Sequence, residues 1–199
     1  KKGNTLRTMS VMKNILAEAE IEEEIPRDFA IYDLVQFLNG VTLHDNPSIE
    51  FPNESNLTIR EGKDRKTKYF FADPSVIVSP PEKSIELPTE DVCFNLDSTQ
   101  LQSLLKASAV YQLPDLVAVG EAGVVKLVVR DKKNDTSNEY SINVGETNQE
   151  FNFNFKVENI KILPGTYEVV ISQKLLARFV NNNFNLTYYI ALEPDSTFG

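Results

Sequence analysis

The side chains that could do covalent chemistry are few. The chain has 199 residues with one histidine, His44, and one cysteine, Cys93. A nucleophile needs a general base held within hydrogen-bond reach, and His44 would have to be that base. It stands beside Asp45-Asn46-Pro47, a turn-like string that offers no orienting partner, so it reads as an exposed turn histidine. Cys93 lies between Val92 and Phe94 and reads as a small residue in or near the core. A lone cysteine forms no internal disulfide and no cysteine-based zinc site. Glu22, Glu23 and Glu24 could supply the paired carboxylates of a hydrolase, but consecutive acids at a strand end read as a solvated edge. The chain has no glycine-rich phosphate loop, no G-x-S-x-G, no H-E-x-x-H and no C-x-x-C. No catalytic residue, metal ligand or cofactor is expected.

Charge is the more informative property. The formal net charge is −9, which argues against a large basic surface gripping nucleic acid through many phosphates. The distribution is uneven, however. Residues 18–28 carry six acids and one base, whereas 60–68 carry Arg60, Lys63, Arg65, Lys66 and Lys68 against Glu61 and Asp64. The segment 98–112 has no carboxylate and one base, Lys106, while 156–163 carries Lys156 and Lys161 against Glu158.

These residues must be placed by an α+β framework. Apolar residues alternate through 4–12 and 14–25, with Ile15, Ala17, Ala19 and Ile21 on one face and Glu18, Glu20 and Glu22 on the other, predicting two strands. Phe29, Tyr32, Leu34, Val35, Phe37, Leu38 and Val41 then recur at three and four, predicting a short helix capped by Asp28 and ending near Gly40. Strands are predicted near 48–52, 56–61 and 67–72. Residues 73–90 hold four of the ten prolines and read as an extended connector. Beyond it comes a strand at 92–96, then a capping box, Asp97-Ser-Thr-Gln100, opening a helix that Pro114 ends. Strands follow near 116–121, 124–131, 139–145 and 150–155. A second short helix is predicted at 157–163, before three closing strands near 166–172, 177–182 and 186–193.

The order of elements recurs. Both halves run through strands and a short helix to three strands, the last aromatic: Thr67-Lys-Tyr-Phe-Phe-Ala-Asp-Pro-Ser75 and Thr187-Tyr-Tyr-Ile-Ala-Leu-Glu-Pro-Asp-Ser196. The expected organisation is two copies of one unit, 1–75 and 91–199, joined by a connector at 76–90, with the first copy lacking its opening strand and helix.

Several strings, in order along the chain, resemble the sliding clamps of T-even-type bacteriophages, which are DNA polymerase processivity factors. They are Asp28-Phe-Ala-Ile-Tyr-Asp-Leu34, Ala72-Asp-Pro-Ser-Val-Ile-Val78, Leu101-Gln-Ser-Leu-Leu-Lys106, Ile162-Leu-Pro-Gly-Thr-Tyr167 and, most specifically, Tyr189-Ile-Ala-Leu-Glu-Pro-Asp-Ser-Thr197. The resemblance implies two clamp domains per subunit, with sheets outside and helices lining the channel of a homotrimeric ring around duplex DNA. It implies no catalysis and no cofactor. An ATP-driven clamp loader opens such rings, the replicative polymerase binds through its C-terminal peptide, and late-transcription factors are further partners. The implied DNA-facing residues are Lys106, Lys156 and Lys161. The implied peptide pocket draws on Val76, Ile77 and Val78 of the connector and on Tyr189, Ala191, Leu192 and Pro194 of the last strand. Edges near 67–72 and 139–145 are the candidate subunit contacts.

The chain does not begin with Met, shows no signal peptide and has no apolar run long enough to span a membrane, so it reads as intracellular, and the resemblance implies the cytoplasm of an infected bacterial host. The alternative reading is a β-rich phage tail or capsid protein. A carboxylate-based hydrolase is a weaker third.

Overall fold

A computed structural model describes all 199 residues, which form two compact units. The first comprises Lys1–Asn4 and Glu22–Ser79, the second Thr5–Ile21 and Pro80–Gly199. The opening hairpin of β1 (Gly3–Met9) and β2 (Ile15–Ile25) therefore counts mostly with the second unit, although its position in sequence groups it with the first copy. The reason is pairing: Leu16 to Ala19 of β2 lie against Leu186 to Tyr189 of the penultimate strand, antiparallel.

The first unit is built on a three-stranded antiparallel sheet of β3 (Ser48–Glu50), β4 (Asn56–Glu61) and β5 (Arg65–Phe70), with the helix α1 (Leu34–Val41). Leu57, Ile59 and Phe37 form its buried core. The helix starts later than the sequence pattern indicates. Asp33, not Asp28, is the N-cap and accepts from the Gln36 backbone N–H at 2.8 Å. Residues 29–31 stay extended because the Phe29 ring packs against Phe51 and Phe71 and the Ala30 carbonyl accepts from Ala72 N–H. Asp28 instead accepts from the Lys2 backbone N–H and pairs with the Lys1 ammonium, which together hold its carboxyl below the usual range.

His44 is buried, contrary to its turn-like sequence. Its Nε2 lies 3.0 Å from Thr67 Oγ1, tying the end of α1 to β5. Burial of a polar ring demands such a partner. Replacing His44 with alanine should destabilise the first unit by about 1–3 kcal/mol, by opening a void and orphaning the threonine hydroxyl. A urea titration read by circular dichroism measures this; an unshifted midpoint would mean that the ring does not fasten α1.

The second unit holds two larger antiparallel sheets. One has the order β1-β2-β13-β12-β11-β6, in which β6 is Val92–Leu96, β11 Tyr167–Ser172, β12 Leu176–Asn181 and β13 Leu186–Ala191. The other has the order β14-β10-β7-β8-β9, in which β7 is Asp115–Glu121, β8 Val124–Arg130, β9 Tyr140–Glu146, β10 Phe151–Lys156 and β14 Thr197–Phe198. Alternation places Val92, Phe94 and Leu96 of β6 in the core with Val169, Ile171, Phe179 and Ile190, and the helix α2 (Ser98–Tyr111) adds Leu101 and Leu104. The same alternation turns Cys93 outward, so it is exposed and not a core residue; burial of the thiol still raises its pKa, with Glu168 and Glu90 adding to the rise. Gly120 is required where it stands, since a Cβ there would lie 2.3 Å from the Phe151 ring.

The second helix expected at 157–163 is a single 3-10 turn, Val157–Asn159. Beyond it the backbone of Leu163 is satisfied by tyrosines: its carbonyl accepts from Tyr167 Oη at 2.6 Å and its N–H donates to Tyr188 Oη at 3.2 Å. Those bonds replace a helical ladder. No helix is long and apolar enough to cross a membrane.

Candidate functional site

The helix α2 is well specified locally. Asp97 accepts from Gln100 N–H at 2.8 Å while the Gln100 side chain accepts from Asp97 N–H at 3.0 Å, a complete capping box. Its end is fixed by Gln112 in the left-handed region at φ 55° and by Ser108 Oγ donating to the Leu113 carbonyl at 2.7 Å. Leu101, Leu104, Ala107 and Ser108 face inward, and Gln102, Lys106 and Ala109 are exposed. That outer face carries one positive charge and no carboxylate.

Lys156 and Lys161 differ from one another. Lys161 is exposed, in the irregular stretch after the 3-10 turn. Lys156 ends β10, opposite Asp115 in the β7–β10 register, and its ammonium lies 2.5 Å from Asp115 Oδ1. Asp115 is 1% exposed and also accepts from Lys132 N–H at 3.1 Å. The hydrogen bond to Asp115 holds the Lys156 ammonium above its ordinary pKa despite partial burial. The charge of Lys156 is thus matched inside the fold. Val157 N–H donates to the Pro114 carbonyl at 2.9 Å, so this pair sits beside the end of α2.

The apolar candidates fall in two groups, one in each unit. In the first, Val76 closes a 3-10 turn capped by Asp73; Val76 and Val78 are exposed and Ile77 is half-buried. In the second, Tyr189 and Ala191 are half-buried on the face of β13 opposite the core, Pro194 is exposed, and Leu192 is buried in the core. Leu192 N–H donates to the Leu175 carbonyl, which continues the pairing past β13 and keeps that side chain inside. Tyr189 lies opposite Leu16 of β2 and Arg178 of β12. Burial raises its hydroxyl pKa, with Glu18 and Glu86 adding and Arg178 and Arg7 opposing.

The candidate subunit edges, 67–72 and 139–145, coincide with β5 and β9, each an edge strand of its sheet. Sequence reasoning missed a neighbouring surface. Tyr32, Leu34, Val35 and Leu38, which signalled a short helix by their spacing, are exposed, and α1 buries only Phe37. The apolar side chains of α1 share one broad face, and only its Phe37 edge packs on the small core of Leu57 and Ile59.

Comparison with known proteins fits this geometry. The family model described as DNA polymerase processivity factor matches residues 1–79, and that described as gp45 sliding clamp, C terminal, matches residues 93–194. The sliding clamp of Vibrio phage KVP40 is 33% identical over 198 residues, covering 96% of this chain and 88% of the relative. The chain belongs to the sliding-clamp family. The sliding clamp of Escherichia phage RB69 is likewise 33% identical, over 98% of this clamp and 88% of the relative. Among solved structures, a DNA polymerase sliding clamp from Pseudomonas aeruginosa superposes with a TM-score of 0.72 at 15% identity. That match covers 97% of this clamp but 56% of the bacterial chain, so the clamp spans little more than half its length. A PCNA2-PCNA3 complex from Sulfolobus tokodaii gives a TM-score of 0.61 at 12% identity, covering 87% of that chain. The two family models leave residues 80–92 between them. The tail or capsid reading is not favoured.

Proposed function

We propose that this clamp encircles duplex DNA as a ring of three copies and tethers the replicative polymerase in the cytoplasm of an infected bacterium, without catalysis. The observation that carries the DNA-facing part is α2, whose outer face bears Lys106 and no carboxylate in a chain of net charge −9. A sliding protein needs diffuse, sequence-independent phosphate attraction that centres the duplex and fixes no register. Lys106 and Lys161 supply it, whereas Lys156, neutralised by Asp115, belongs to the scaffold. Topology does the holding, so the rest of the surface stays acidic and repels the duplex. An ATP-driven loader would open the ring, and the apolar surface at Tyr189, Ala191 and Pro194 would take an apolar anchor from the polymerase tail.

For ring closure the reading rests on charge and exposure. β5 presents Arg65, Lys66 and Lys68 outward, and β9 is flanked by the exposed Glu139 and Glu146. A head-to-tail contact between these edges closes a ring without leaving either strand unpaired. The exposed side of α1 would be covered in the same contact.

Replacing Lys106 and Lys161 together with glutamate should lower processive synthesis on a primed template about tenfold, through six reversed charges per ring, with an unchanged melting temperature. Unaltered product lengths would remove these lysines from the channel.

A further inference from the structure

The connector is a strap across the outer face of the six-stranded sheet. At one end the Arg7 guanidinium, on edge strand β1, donates to three successive backbone carbonyls: Nη1 to Pro81 at 2.8 Å and Glu82 at 3.1 Å, and Nη2 to Lys83 at 3.3 Å. Glu18 of β2 lies 2.8 Å from Arg7 Nε and fixes the other side of the guanidinium. At the far end Glu90 pairs with Arg178 at 3.0 Å, and Asp91 accepts from the Gln173 backbone N–H at 2.8 Å just before β6, the opposite edge strand. Six strands are five spacings wide, about 24 Å. The nine steps from Glu82 to Asp91 reach about 30 Å when extended. The strap is therefore long enough to cross the sheet from β1 to β6.

Burial agrees with this path. Leu16 and Val170 point away from the core, since Ile15, Ala17, Val169 and Ile171 beside them pack into it, yet they are 3% and 2% exposed. Outward-facing apolar residues stay dry under a covering segment. The middle of the strap, 84–88, makes no side-chain hydrogen bond and rests on the half-buried Ile85 and Leu87, so its polar attachments are at the two ends. Of these, the far end continues directly into β6 and is held by the sheet. The near end lies outside any strand, and Arg7 is one of its attachments.

We propose that Arg7 is a positioning residue: a latch that holds the connector over the outer face of the sheet and so sets the shape of the surface at Tyr189. Only a guanidinium suits the task, because its planar fork can serve several carbonyls at once, whereas an ammonium is a point charge. The carbonyl of Lys83 that Arg7 grips belongs to the bond trypsin must attack.

Limited trypsinolysis of the full chain, followed by mass spectrometry, tests the latch directly. A cut after Lys83 needs local opening of the strap, and a cut after Lys63, in the β4–β5 turn, serves as the internal reference. In Arg7→Ala the cut after Lys83 should quicken about tenfold relative to the cut after Lys63, and Arg7→Lys should behave like Arg7→Ala. An unchanged rate at Lys83 in Arg7→Ala overturns the latch. So does an equal acceleration at both sites, which means general loosening, or wild-type behaviour of Arg7→Lys, which means that charge beside Glu18 suffices. The readout is the strap itself, so failure here leaves the sliding-clamp reading intact.

Discussion

Replacing Lys156 with methionine is expected to destabilise the clamp by about 4–5 kcal/mol, and replacing Asp115 with asparagine by only about 2–3. The asymmetry follows from burial. The Asp115 side chain is 1% exposed and keeps only the Lys132 N–H as donor once the ammonium is gone, whereas Lys156 is 26% exposed and can turn its charge to water. Removing the cation strands a charge; removing the anion frees one. Urea midpoints at constant slope measure the difference, and equal losses in the two variants would contradict it. The double substitution should recover part of the Lys156→Met loss, because an amide beside a thioether leaves no buried charge. The pair also sets an alkaline limit. Lys156 has its pKa raised in the folded state, so its contribution is complete below the unfolded pKa and is lost as pH rises through the folded value. Asp195 and Asp91 act at the other end of the scale. A hydrogen bond and charge from Lys132 lower the pKa of Asp195. Burial pushes that of Asp91 up, but Thr89 and Gln173 hydrogen bonds outweigh it. Stability from these two is present above the ordinary carboxylate range and lost as pH falls through their folded values.

The same pair shows where sequence reading stops. Lys106 was legible because its helix is specified by neighbours: a capping box at Asp97 and Gln100, apolar residues at Leu101, Leu104 and Leu105, and Pro114 to end it. Lys156 was not, since its partner lies 41 residues away and meets it only through the β7–β10 register. Most strands could be read because alternation is a local property. Long-range bonds decided the exceptions. His44 looks like a turn residue until Thr67 arrives from β5, and 160–163 looks helical until two tyrosines take the backbone of Leu163. Asp28 and Asp33 are both competent caps, and the choice between them lies in the packing of Phe29 on Phe51 and Phe71. The Arg7 clasp had no sequence signal, because its acceptors are backbone carbonyls 74 to 76 residues away.

Replacing Leu34 and Leu38 with glutamate should abolish the ring while leaving the fold intact. Both are exposed in the single chain, at 58% and 51%, so neither contributes much to the core of Phe37, Leu57 and Ile59. An 8-residue helix with Leu34, Val35 and Leu38 facing water is an exposed apolar surface of the kind that a second copy covers. Covering the exposed halves of two leucines at each contact is worth about 1.5–3 kcal/mol, equivalent to a dissociation constant roughly 10- to 10²-fold lower. Light scattering at micromolar concentration should therefore find the wild type near three times the 22.5 kDa chain mass and the variant near one. Charge should act on the same contact more weakly, because exposed pairs are screened. Lys66→Glu with Lys68→Glu should loosen the ring, and adding Glu139→Lys with Glu146→Lys should tighten it again if β5 meets β9. A variant at Leu34 and Leu38 that remains trimeric would exclude α1 from the interface; charge reversals that fail to compensate would separate β5 from β9. Recovery by the fourfold swap would do more than support closure, since it would also fix the head-to-tail direction in which the copies follow one another around the DNA.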